Sequence, residues 1–154
     1  MSFEKFIEEY IGKGLLQKQK SDSRAVEKLI LRSKKDLKTA KANLSIDEGV
    51  AYTVAYLAML RAGRAYMLLK GFRPADGYQH KTVVEFMGQC LGSEYRQIVD
   101  RFDRMRRKRN IFTYEVDIAI SKTEADGALD AAASFVELIK ELLRKEDPQA
   151  NFKF

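Results

Sequence analysis

The sequence predicts an all-α fold, an up-and-down bundle of antiparallel helices. Three observations carry that prediction. Apolar side chains recur at roughly 3.6-residue spacing in segment after segment. Capping residues and glycine or proline stops bracket those segments. No stretch alternates apolar and polar residues for long, and β-branched runs are few.

The elements follow in order. Phe3, Phe6, Ile7, Tyr10 and Ile11 lie on one face of a short amphipathic helix reaching to about Leu16, its end weakened by Gly12 and Gly14. Lys18-Gln19-Lys20 reads as a polar connection. Ser21-Asp22-Ser23 is an N-cap cluster, and Val26, Leu29, Ile30, Leu37, Ala40 and Leu44 set the rhythm of a second helix ending near Asn43. Ser45-Ile46-Asp47-Glu48 has the form of a capping box, in which Ser45 and Glu48 exchange hydrogen bonds with each other's backbone. The long helix it opens is rich in small residues (Ala51, Ala55, Ala58, Ala62, Gly63, Ala65), which let neighbouring helices approach closely. Gly71 stops it as a left-handed cap, and Pro74 prevents its resumption.

Phe72 to Gln79 reads as a loop containing an Asp76-Gly77 turn. His80 to Leu91 is a shorter helix, and Ser93 is expected to cap the next, which runs to about Tyr114. Ser121-Lys122-Thr123-Glu124 is a second capping box, opening a final helix that Asp147-Pro148 ends. The tail Asn151–Phe154 is expected to fray or to dock on a partner. The domain reading is an N-terminal amphipathic helix over 1–20, a helical bundle over 21–146 and a tail over 147–154.

At 154 residues and 45% apolar content the chain is one domain that can bury a core without a metal or disulfide staple. Its single cysteine, Cys90, excludes an internal disulfide and reads as a small core residue. No signal peptide or membrane span is expected, which implies a cytoplasmic protein with no membrane partner. A single histidine, His80, excludes a His-based metal cage; no metal or cofactor is expected. His80 reads as a capping or loop-packing residue that can also serve as a general base.

The net charge of +6 permits a polyanionic partner. From Arg101 to Arg109 there are six basic residues against one acid, Asp103. Arg104, Arg107 and Lys108 make either a solvated face or a footprint for a nucleic-acid backbone. Arg109 stands apart from them. It falls on the apolar line Ile98, Phe102, Met105, Phe112, where an unpaired charge is costly. Two readings stand. Arg109 pairs with an acid such as Asp47 or Glu48 and fixes the bundle, or Arg109, Asn110 and Tyr114 form a polar notch that binds phosphate.

From Ser21 to Leu143 the order of segments resembles the HEPN superfamily, the higher eukaryotes and prokaryotes nucleotide-binding domain. The resemblance rests on Ile30–Ala40, Ser45-Ile46-Asp47, Ala51-Tyr52 through Ala62, Gly71-Phe72-Arg73, His80, and Phe102–Tyr114 with its Arg-Asn-x-x-x-Tyr core. It implies a four- or five-helix bundle, in a homodimer of the small stand-alone prokaryotic type; with the helices read above, the expected fold is an up-and-down four-helix bundle with an extra N-terminal helix and a short additional helix. Many members are RNA-cleaving toxins held by a cognate antitoxin. In those, an Arg, a polar residue and a His four to six residues on from the Arg form a metal-independent ribonuclease site shared between two copies. Arg109 and Asn110 match the first two positions, and Tyr114 stands where the His is expected. A tyrosine with an unperturbed pKa near 10 is a poor base at neutral pH. The resemblance therefore implies a module that binds RNA or a nucleotide. The alternatives are a ribonuclease using Arg109 with Tyr114 or His80, and a dimerisation scaffold.

Overall fold

A computed structural model of the chain describes residues 1–75 and 79–154. Its described residues form six α-helices and one two-stranded sheet. The helices are α1 (Phe3–Gly12), α2 (Ser23–Asn43), α3 (Glu48–Leu69), α4 (Gln79–Leu91), α5 (Arg96–Tyr114) and α6 (Lys122–Glu146). The strands are β1 (Leu16–Lys18) and β2 (Phe72–Pro74). The architecture is an all-α bundle of the HEPN type.

α3 is the central helix. Its small and apolar residues are buried on nearly every face, as expected of a helix enclosed by others. It packs against α2 and α6 along its length and against α4 and α5 over shorter contacts. Gly63 marks the closest approach: a Cβ there would sit 2.6 Å from Val83 of α4. The α2–α3 contact also holds a charged pair. Asp36, 2% exposed, receives Arg61 at 2.5 Å and Arg32 at 3.3 Å. Ser33, equally buried, donates to the Ala58 carbonyl at 2.9 Å. These polar groups are buried because each is partnered.

The caps partly follow the sequence. Asp22 caps α2, accepting from the Arg24 amide, and Ser121 with Glu124 forms the complete capping box of α6. Ser45 does not cap α3. The turn after α2 bonds the Ile46 and Asp47 amides to the Asn43 carbonyl, so the first extended residue is Asp47, whose carboxylate accepts from Val50 at 3.1 Å. Ser93 does not cap α5 either. Gly92, at φ +73°, starts a 3₁₀ turn over Ser93–Tyr95, and α5 begins at Arg96.

The N-terminal segment departs most from the sequence expectation. α1 stops at Gly12, and Gly14 turns the chain at φ +72°. Leu16 to Lys18 then pairs antiparallel with Phe72 to Pro74, in the register Leu16↔Pro74 and Lys18↔Phe72. The expected polar connection and the start of the expected loop are thus a ribbon. Pro74 is compatible with it because each strand has one free edge. The Asp76-Gly77 turn lies outside the described residues. α1 and β1 send Phe6 and Leu16, each 2% exposed, into the one core. The C-terminal tail folds back on its own chain: Phe152 and Phe154 stack, Arg144 lies over Phe154, and the Lys153 amide donates to Glu27. Among the described residues no helix is long and apolar enough to cross a membrane.

Candidate phosphate-binding site on α5

α5 buries Phe102 and Met105 completely and Ile98 and Phe112 in part, as the apolar line requires. Arg109 is carried on that line to the edge of the core, where it is half-buried. It pairs with neither Asp47 nor Glu48, and with no acid among the described residues. Its Nη1 donates to the Asn110 Oδ1 at 3.1 Å, while its Nε is buried without a hydrogen-bond partner among the described residues. A buried donor of a charged group left unpaired costs on the order of 1–3 kcal/mol. The side chain is therefore held ready for an acceptor.

His80 lies at the start of α4 with its Nδ1 2.9 Å from the hydroxyl of Tyr56, a fully buried residue of α3. Burial holds the His80 pKa below its ordinary value, and the charges of Arg109, Arg106 and Arg64 lower it further. Burial likewise drives the Tyr56 hydroxyl well above its ordinary value, against the opposing pull of Arg109 and Arg106. Both rings are thus neutral at pH 7, beside the cations of α5. Arg106 is fixed there by Asp103, which accepts from its Nε and Nη2 at 3.0 and 2.9 Å.

Arg109, Asn110 and His80 thus share one region, and Tyr114 does not join them by contact. As the last residue of α5 it is 83% exposed, with no hydrogen bond or ring contact among the described residues. The three cations of the expected nucleic-acid footprint differ from one another. Arg107 is held by Asp103 at 2.6 Å and Lys108 by Glu124 at 3.1 Å, whereas Arg104 is exposed and in no ion pair among the described residues. Tyr56, Arg106 and Asp103 are site neighbours that the sequence reading missed. Arg106 and Asp103 were accessible to it, lying three and six residues before Arg109 on the same helix. Tyr56 carried no signal, since its meeting with His80 depends on how α3 and α4 pack.

An apolar surface adjoins this end of α5. Ile46, Val50, Ile111, Tyr114, Val116 and Ile118 are all exposed. Part of that surface is a cleft of about 470 Å³ where Val50 and Val54 of α3 meet Phe112, Ile118 and Ile120. Cys90 is remote from this chemistry in character: burial pushes its thiol up to about 12. Among the described residues no three His, Cys, Asp or Glu side chains gather as a metal site.

A family model described as the HEPN domain matches residues 26–142. No curated protein and no solved structure matches the chain.

Proposed function

Because the chain belongs to the HEPN family, we propose that it is a dimeric binding module that grips a phosphate of RNA or of a nucleotide with Arg109 and Asn110. The observation that carries this is the state of Arg109, half-buried and, among the described residues, without an acid and with a buried Nε lacking an acceptor. A planar guanidinium offers paired donors that match two phosphate oxygens. Asn110, hydrogen-bonded to Nη1, orients that fork. Arg107 and Lys108 contribute less, because each already serves a carboxylate.

Dimerisation brings two copies of this end of α5 together, and the exposed apolar surface from Ile111 to Ile118 supports that placement. The module works in a prokaryotic cytoplasm, paired with a cognate antitoxin protein. The test is fluorescence anisotropy with a labelled single-stranded RNA and with a nucleotide. Binding should weaken with salt, and Arg109→Ala should weaken it by about 10- to 100-fold, as expected for a charge-assisted hydrogen bond of roughly 1.5–3 kcal/mol. Arg109→Lys should not restore it, lacking the fork. Binding indifferent to Arg109→Ala overturns the proposal, and no binding at all leaves the scaffold alternative in its place.

A second reading, a metal-independent ribonuclease, is favoured by His80. A neutral imidazole beside two arginines can accept a proton while the cations stabilise charge on phosphate. Cleavage of RNA in the presence of a chelator, lost in His80→Ala and kept in Tyr114→Phe, would establish it over the binding reading. The exposed Tyr114 is not placed to act as base within one chain.

A further inference from the structure

The ribbon closes a second cleft, of about 210 Å³, against α2 and α3. Three cations enter it from three elements. Lys20 follows β1, Arg73 is in β2, and Arg64 projects from α3. Across the ribbon Arg73 pairs with Gln17, and the Gln19 amide continues the ladder by donating to the Gly71 carbonyl at 2.9 Å, which carries the chain on to Lys20. Among the described residues none of the three is in an ion pair.

Several cations at the edge of the core are answered by carboxylates: Arg61 by Asp36, Lys70 by Glu146, Arg106 by Asp103. Arg64 lies one turn beyond Arg61 on the same helix, half-buried, and like Arg109 is in no ion pair among the described residues. The one acid at the cleft, Asp22, is occupied in accepting from the Arg24 amide at 3.0 Å as the cap of α2. The first turn of α2 also forms part of the wall, so the positive end of its dipole faces the same space.

The floor differs chemically. Leu29, Leu68 and Phe72 supply apolar surface. Phe72 is anchored by edge and tilted contacts with Phe3 and Phe86, with ring centroids 6.4 and 5.9 Å away, so it is a fixed platform. Two guanidinium forks and an ammonium above such a floor select a dianionic head on an apolar body. The volume suits a single ring and excludes a nucleic-acid strand. We infer that this cleft is a binding site for a small phosphate monoester carrying a compact apolar or aromatic group.

The probe is phenyl phosphate, added to the full chain and followed by calorimetry and by the ring signals of His80, the only histidine present. Inorganic phosphate and phenol are the half-ligand controls. Phenyl phosphate should bind about 10-fold or more tighter than either, since it alone satisfies cations and floor together. Arg64→Gln and Arg73→Gln should each weaken it by about 10-fold, while circular dichroism melts verify that both variants fold. Asp22→Asn keeps a good helix cap and removes the opposing charge, so it should tighten binding. His80 signals should move with phenyl phosphate in the parent chain and stay in Arg64→Gln. Equal binding of inorganic phosphate, or affinity unaltered in both arginine variants, overturns the inference, as does the absence of binding. The outcome is separate from the α5 site: Arg109→Ala should leave phenyl phosphate binding unchanged, and Arg64→Gln should leave RNA binding unchanged.

Discussion

At the scale of single residues, position along a helix and position in space carry different information. Arg109 was legible in the sequence because a charge interrupts an otherwise apolar line, and the structure leaves it without an acid among the described residues. Of the two readings, pairing with Asp47 or Glu48 is not formed among the described residues, and the Asp47 carboxylate instead caps α3. The partnership of His80 with Tyr56 was not legible, since 24 residues separate them and only packing joins them. That partnership has a thermodynamic consequence. Burial first, then Arg109, Arg106 and Arg64, lower the His80 pKa in the folded state. The unfolded chain, with a value near 6.5, then binds more protons below that pH. Stability is fully present above about pH 6.5 and declines as pH falls toward the lower folded value. Thermal melts from pH 7 to 5 should show this slope, and His80→Gln should flatten it. Since His80 is the only histidine, a slope unchanged in that variant would contradict the assignment.

At the scale of elements, the long helices were legible because each repeats one apolar face over several turns and ends on a cap or a glycine. Their boundaries were less so. A capping box spelled by Ser45 and Glu48 yields to Asp47 because the preceding turn sets which residue is extended, and that is decided by backbone hydrogen bonds outside the motif. The strands were invisible. At three residues each they are too short to display a period of two. Gly63 gives the sharpest element-level test. A methyl group there meets Val83 at 2.6 Å and Met87 at 3.5 Å, wedging α3 from α4. Overpacking of that kind costs about 1–3 kcal/mol, more than the roughly 1 kcal/mol that alanine gains in helix propensity. Gly63→Ala should therefore lower the melting temperature by several degrees, whereas Gly12→Ala, with open space around it, should not.

At the scale of the whole molecule, the apolar surface at the end of α5 and the following loop predicts association. Val116 is 95% exposed and Ile111 and Ile118 are also open to solvent, an arrangement that favours burial against another surface. Sedimentation velocity should find a dimer that Ile111→Asp with Val116→Asp converts to a folded monomer. A monomeric parent chain would remove this element of the proposed function without touching the phosphate grip. The family match begins at residue 26, yet Phe6 and Leu16 lie in the same core as α3 and α6.

The ribbon also bears on the order of events in time. Its two strands are joined by a stretch that contains all of α2 and α3, so it can zip only after those helices have folded back on each other. Closing so long a loop is entropically unfavourable until local contacts have shortened the search. The α2–α3 hairpin is then the natural nucleus, and the N-terminal twenty residues are the latch fastened last. During synthesis those residues leave the ribosome before β2 and α4 and wait, with Phe3, Phe6 and Leu16 uncovered, until those elements emerge to receive them.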